Sequence, residues 1–389
     1  MALPISYNVR NLIVRWKVTF LAIFGIGLVV TVFVVLLAMA SGFRIALRAT
    51  GVPENGVVVQ RGSNSELTSF FSREQADFVI VDSRVARGDG GQPLASPEIV
   101  IVANFPRRVD GGPTNVTIRG VSQRAFQVRR GIAIRQGRTF KPGLNEVIVG
   151  EHIHDRIRGF DLGSKIMIQR RAWEVVGVFA ADGSAFESEV WGDLDVMGPA
   201  FQRGGGQNSL TVRLSDPAKL EAFDRDLQAN PQMQVRMVQE RKYYEDQAGP
   251  VAASLLALAG FVSIVMGIGA VFGAMNTMYA IVAARTREIG TLRALGFRRL
   301  SILSSFLLES VFLAIVGGVV GCLLAYPMNG FTTATGNTAG FSELAFAFKI
   351  TPDDLIVGMV FAIVMGFFGG LLPALRASRL PITVALREE

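Results

Sequence analysis

The run AARTREIGTLRALGF, residues 283–297, sets Arg285, Arg287, Glu288 and Arg293 among regularly spaced isoleucine, leucine and glycine. It is short, basic and amphipathic, and it lies between two long apolar runs, a pattern suited to binding a surface rather than to making bonds. The other chemistry-bearing groups offer less. Glu151-His152-Ile-His154-Asp155 holds both histidines of the chain. An H-x-H pair can ligate metal from a strand. This one follows a strand and turn at what reads as a helix start, where the rings diverge and no further histidine completes a site. Glu187/Glu189 and Asp193/Asp195 alternate in a glycine-rich, aromatic-flanked stretch (GSAFESEVWGDLDV) that reads as a solvated loop or a partner-facing surface. No G-x-x-x-x-G-K-[ST] occurs, so the chain is expected to bind no ATP through a P-loop. No nucleophile–base constellation is evident. The reading is of a non-catalytic chain with no cofactor or metal of its own.

The elements that must position these residues come from composition. Half of the 389 residues are hydrophobic. They concentrate in one block near the N-terminus and three near the C-terminus, which marks a membrane protein with one large water-exposed domain. A span needs about twenty mainly apolar residues. Four segments qualify: 18–40, 251–284, 302–326 and 355–375, none containing Lys or Arg. The first also has the look of a secretory signal, with a basic start and Ala38-Met-Ala40. Its apolar stretch is longer than the usual ~7–15 residues of such a signal, so a retained anchor is expected. The single cysteine, Cys322, sits in an apolar block and excludes a disulfide framework.

Orientation follows from lysine and arginine in the short flanks. Arg10, Arg15 and Lys17 precede the first span, Arg285, Arg287, Arg293, Arg298 and Arg299 lie between the second and third, and Arg376, Arg379 and Arg387 follow the fourth. Opposite these stands Lys349 alone. The expected layout is a cytoplasmic N-terminus (1–17), an extracytoplasmic domain with helical stalks (41–250), a cytoplasmic loop (285–301), a short extracytoplasmic loop (327–354) and a cytoplasmic tail (376–389). The net charge of +7 is then mostly topology, and a nucleic-acid partner loses its support.

The expected fold class is an α+β membrane protein with one plus three transmembrane helices and a mixed α/β domain between the first two. Strands are expected at 56–60, 97–105, 115–121, 145–150, 165–169, 173–179, 209–214 and 233–238. Ser72-Arg-Glu-Gln75 is a capping box that opens a helix through Val85, although 78–81 also reads as a strand. Asp216-Pro217 opens a helix through Ala229. Segments 42–48 and 239–247, at the two membrane edges, read as helical stalks or plain connectors.

Each C-terminal span carries a G-x-x-x-G: Gly269–Gly273, Gly317–Gly321 and Gly366–Gly370. Small residues let helices approach closely in lipid, within a bundle or across a dimer. Glu309 lies inside the third span, where an ionised carboxylate costs several kcal/mol on insertion scales. Protonation, or a partner in Ser305 or a loop arginine, would lower that cost, and a packing role is expected.

Asn276-Thr277-Met278, the run Arg285 to Gly296, Phe306-Leu-Leu-Glu309, the glycines 317, 318 and 321, and Pro373-Ala374-x-x-Ala377…Pro381-x-x-Ala385-Leu386-Arg387 resemble the signature of FtsX-like permeases. These are the membrane subunits of MacB-type (type VII) ABC transporters. Gly120-Val121, Gly137-Arg138-x-Phe140, Val147–Gly150, Leu162-Gly163 and Val175–Phe179 are similar to that family's periplasmic core domain. The resemblance implies a coupling helix docked on an ATPase subunit. Arg285, Arg287 and Arg293 would face its phosphates or acidic residues, Glu288 a base on it, and Ile289, Leu292 and Leu295 would be the apolar anchor. Gly290 and Gly296 would allow close approach and the turn back. ATP and magnesium would then belong to a separate polypeptide.

The resemblance further implies a homodimer in the bacterial inner membrane, in contact with lipid. Its external domains would move to export an amphiphilic, lipid-like or peptide cargo with a periplasmic membrane-fusion adaptor. Lipoprotein release, or signalling to a cell-wall hydrolase or sensor kinase, are the alternatives within the same family.

Overall fold

A computed structural model describes residues 16–337 and 342–381. Arg10, Arg15, Ala385, Leu386 and Arg387, and the side chain of Lys17, lie outside what it describes. In chain order, α1 (Trp16–Thr50) precedes β1 (Asn55–Gln60), β2 (Phe71–Ser72), α2 (Arg73–Ile80), β3 (Ala95–Pro106) and β4 (Pro113–Val121). Then come α3 (Ala125–Val128), β5 (Ala133–Gly137), β6 (Glu146–Gly150), α4 (Glu151–Arg156), β7 (Lys165–Ile168) and β8 (Arg171–Ala180). They are followed by β9 (Glu189–Asp193), α5 (Leu194–Ala200), β10 (Gly206–Gln207), β11 (Ser209–Arg213), α6 (Leu220–Ala229) and β12 (Val235–Gln239). The C-terminal part holds α7 (Glu240–Ala283), α8 (Thr286–Ala294), α9 (Arg299–Ala325), a hairpin of β13 (Thr332–Asn337) and β14 (Ser342–Ala347), and α10 (Pro352–Arg379). Among the described residues, four helices are long and apolar enough to cross a membrane, one near the N-terminus and three toward the C-terminus.

The chain forms two compact units. One takes Gly42–Ala252 together with Thr332–Ala347; the other takes the helical remainder. The first is built on a ten-stranded mixed sheet in the order β12-β1-β11-β3-β4-β9-β6-β8-β5, with β7 paired to β8. Neighbouring strands are antiparallel except β4 with β9 and β6 with β8. Two cores flank it. Val58, Leu210, Val212 and Val235 bury against Phe223 and Leu227 of α6. Ile99, Ile118, Val147, Val149, Trp173 and Val190 bury against Ile153 and Met197 on α4 and α5. In β6 every residue of Glu146–Gly150 is buried, which is why its apolar run does not alternate.

All eight expected strands are present, at 55–60, 95–106, 113–121, 146–150, 165–168, 171–180, 209–213 and 235–239. The Ser72 capping box forms, with Ser72 Oγ accepting from Gln75 N–H at 3.3 Å and Ser72 N–H donating to Gln75 Oε1 at 3.4 Å. Its helix stops at Ile80, short of Val85, where Arg84 folds back on Asp82 at 2.8 Å. The Asp216 cap opens a turn at 217–219 that becomes α6. Segments 42–48 and 240–247 are the continuations of α1 and α7.

The stretch 183–196 is not a solvated loop. It runs through a buried turn at Ala185–Ser188 into β9, between β4 and β6 in the sheet. Three of its four carboxylates have internal partners that local sequence does not reveal. Glu187 accepts from the N–H groups of Ala181 and Gly183 at 2.7 and 2.9 Å. Glu189 takes Arg119 in a two-pronged pair at 2.7 and 2.8 Å and also accepts from Trp191 Nε1 at 2.7 Å. Asp193 caps α5, and Asp195 alone of the four faces solvent. Segment 327–354, read as a loop, contains the β13–β14 hairpin. Its Glu343 pairs with Arg107 at 3.1 Å and Arg156 at 3.4 Å and accepts from Thr114 Oγ1. Phe346 is buried edge-on to Phe43.

Candidate functional site

The helical unit is held by close backbone approach. A Cβ on Gly317 would meet Ile23 O at 3.1 Å, and one on Gly321 would meet Gly27 O at 2.6 Å, so α9 packs directly on α1. Thr31 Oγ1 donates across that contact to Gly321 O at 3.1 Å. Gly366 and Gly370 leave room for Ala314 and Ser310 of α9, and Ser310 Oγ donates to Gly366 O at 3.0 Å. Gly269 and Gly273 differ: among the described residues nothing lies within 4 Å of where their Cβ atoms would stand. Two of the three small-residue motifs thus serve packing inside this chain, and the third is open.

The basic run of the sequence becomes α8, set between the ends of α7 and α9 in this unit. Arg285 breaks the helical path, and Thr286 Oγ1 donates to Ala283 O at 2.9 Å. The far end closes when Phe297 N–H reaches back to Leu292 O at 3.2 Å. Gly296 sits there at φ +94°, the left-handed conformation that glycine adopts without steric cost. Arg298 then leads into α9.

Arg285 turns inward. Its Nη1 lies 3.0 Å from Glu309 Oε2 and its Nε donates to Glu288 Oε2 at 3.2 Å. The guanidinium stands 5.0 Å over the Phe306 ring. The side chains of Arg285 and Glu309 are 5% and 2% exposed. Ile289 fills a cluster with Met278, Ile281, Ile302, Phe306 and Ala374, from α7, α9 and α10. Hence Arg285, Ile289 and Gly290, expected on a partner's surface, lie inside this chain. Glu288 is paired within the chain but keeps half of its side chain exposed. Leu292 and Arg293 are half-buried, and the Arg293 Nε is enclosed without a hydrogen-bond acceptor.

What remains outward on α8 is Arg287, Glu288, Thr291 and Ala294, with Leu295 at its end; beyond the Gly296 turn Arg298, Arg299 and Leu300 are exposed as well. Leu295 and Leu300 are each 73% exposed beside these arginines. Two large exposed apolar side chains among neighbouring arginines of the chain are suited to an acidic, partly apolar partner. The inward pairing was left open by sequence, because Glu309 follows Arg285 by 24 positions. No cluster of three metal-ligating side chains exists among the described residues. His152 faces Glu187 at 3.8 Å, whereas His154 Nδ1 lies 3.2 Å from Phe160 O, so the two rings do diverge.

Two family models match the chain: the FtsX-like permease C-terminal region over residues 260–382, and the MacB-like periplasmic core domain over 19–230. The macrolide export ATP-binding/permease protein MacB of Burkholderia pseudomallei (strain 1710b) is 30% identical over 313 residues, covering 72% of this chain and 44% of that protein. The protein of the same name from Neisseria meningitidis serogroup A is 26% identical over 294 residues, covering 70% and 44%. The chain thus spans less than half the length of these relatives. Among solved structures, the periplasmic region of MacB from Actinobacillus actinomycetemcomitans is 13% identical, covers 50% of this chain and 92% of its own, and superposes with a TM-score of 0.37.

Proposed function

Since the chain belongs to the FtsX-like permease family with a MacB-like periplasmic core domain, we propose that it is the permease subunit of an ABC transporter. It acts with a separate ATPase subunit, which carries the ATP and magnesium, and has no catalytic group of its own. The working state is a homodimer in the bacterial inner membrane with both termini and α8 in the cytoplasm. ATP-driven closure of the ATPases displaces α8, the displacement passes to the spans, and the external domain moves. The cargo is an amphiphilic, lipid-like or peptide molecule handed to a periplasmic adaptor. The names of the relatives, which pair ATP binding with permeation and macrolide export, support an export reading.

The observation that carries this reading is the fastening of α8. A helix resting on lipid headgroups needs no internal anchor. This one is tied by the buried Arg285–Glu309 pair and by Ile289 to the helices around it, while Arg287, Thr291 and Leu295 stay outward. Removing one partner of a buried ion pair typically costs about 3–5 kcal/mol, so α8 does not detach easily when pushed. A lever needs that property.

The test is co-purification of the full chain with each ABC ATPase subunit of its organism, in parallel with an Arg287→Glu/Leu295→Asp variant. The wild-type chain should retain one ATPase and the variant should lose it. Retention by the variant at wild-type level would contradict docking through this stripe.

A further inference from the structure

A second buried charge network lies in the sheet-bearing unit, outside the site described above. Glu240 is the first residue of α7, and its side chain is wholly enclosed. Its Oε2 accepts from Val52 N–H at 3.0 Å and from Asn55 Nδ2 at 2.9 Å; its Oε1 accepts from Arg129 Nε at 3.1 Å. Val52 follows the end of α1, and Asn55 opens β1. One carboxylate therefore holds the segment just past α1, the first turn of α7 and the start of β1 together. The backbones meet at the same place: a Cβ on Gly51 would collide with Arg241 Cα and N. On the surface, Arg48 and Glu245 bridge the same two helices at 2.9 Å.

From Glu240 the network runs inward. Arg129 also pairs with Glu98 of β3 and donates to Thr211 Oγ1 of β11 at 3.0 Å. Glu98 accepts from Arg119 of β4 at 2.7 Å, and Arg119 reaches Glu66 and Glu189 of β9. Six charged groups, four carboxylates and two guanidiniums, are thus buried in one connected set across the centre of the sheet. Apolar residues of like volume are often at least as stabilising as such a set, so stability alone is a poor reason for it. What a satisfied polar network adds is a fixed geometry among the pieces it joins.

We propose that Glu240 and Arg129 are positioning residues: the joint that makes the ends of α1 and α7 move as one body with the sheet. The inference deepens the permease reading and rests on it for the source of motion. With the joint intact, displacement of either helix carries the domain with it. Without it, the helices slide against the sheet and the displacement is lost.

The test uses the full chain in lipid nanodiscs, with Cys322→Ser and spin labels at Asp246 on α7 and Arg225 on α6, both exposed. Wild type and a control at another ion pair of this unit, Glu146→Gln, should show one narrow distance. Glu240→Gln should add a second, longer one. Gly51→Ala, which alters no charge, should do likewise by forcing the helix ends apart, and serves if Glu240→Gln fails to fold. Restoring the pair in swapped form, Glu240→Arg with Arg129→Glu, should recover part of the narrow distance. Unchanged narrow distances in both Glu240→Gln and Gly51→Ala would overturn the joint. Adding the ATPase partner and nucleotide separates the two claims. A loosened Glu240→Gln joint that nucleotide leaves unmoved contradicts the permease reading and still supports the joint.

Discussion

Arg285 and Glu309 form an ion pair at 3.0 Å, one residue entering α8 and the other nearly three turns inside α9, and both are shut away from solvent. An intramembrane-type carboxylate and a loop arginine thereby offset each other's cost, since losing either leaves the other buried without its closest opposite charge. Arg285→Leu should destabilise the chain by about 3–5 kcal/mol, and Arg285→Leu with Glu309→Leu by clearly less. Thermal unfolding in detergent checks both. Equal losses in the single and double variants would show that the pair itself contributes little.

The glycines should divide by position. Gly366→Ala and Gly370→Ala push into Ala314 and Ser310 and should lower thermal stability, whereas Gly269→Ala and Gly273→Ala meet nothing within 4 Å among the described residues. Overpacking of this kind typically costs ~1–3 kcal/mol. Stability scans of the four variants measure the split. If Gly269→Ala and Gly273→Ala change self-association while leaving monomer stability unchanged, the open face of α7 is an interface between copies.

Glu343 should hold the β13–β14 hairpin in place. Glu343→Ala leaves Arg107 and Arg156 without that carboxylate and removes the acceptor of Thr114. Hydrogen exchange should then rise across residues 344–347 and stay unchanged in β6. Unaltered protection of the hairpin would mean that Leu344, Ala345 and Phe346 anchor it by burial alone.

Glu240 gives a pH signature. Burial raises its carboxyl above the usual carboxylate range, against the opposing pull of Arg129 and of the Val52 and Asn55 donors; the buried Tyr244 and half-buried Arg213 lie in the same neighbourhood. A carboxyl whose folded pKa exceeds its unfolded value binds its proton more tightly when folded. The folded state is therefore favoured at pH below the unfolded value, and that contribution is lost as pH rises through the folded pKa. Denaturation midpoints across pH should show this fall in wild type and a flatter profile in Glu240→Gln. Identical profiles would assign the charge change elsewhere in the network.

Much of this architecture was readable because it is written in local periodicity. Four apolar runs, eight β-branched runs and the Ser72 cap each carry their signal within a dozen residues. What escaped lay in long-range pairing. β9 was hidden by Glu187, Glu189 and Asp193, whose partners Ala181, Arg119 and Gly143 are supplied by other segments. Similarly, nothing beside Arg285 states that Glu309 faces it, so an arginine that looks available for a partner is already satisfied at home. The hairpin was missed because Ala, Gly and Asn dilute the threonines of β13, and the pairing of Glu343 with Arg107 and Arg156, which fixes its other half, comes from distant segments.

The central claim is that the outward stripe of α8 receives an ATPase. The most direct measurement is photo-cross-linking from single positions of the full chain in cells. Probes at Thr291 and Leu295 should give adducts with an ABC ATPase subunit, and a probe at Val109, which is 94% exposed in the sheet-bearing unit, should give none. Adducts confined to Val109, or silence at Thr291 and Leu295 while an ATPase co-purifies, would contradict the account.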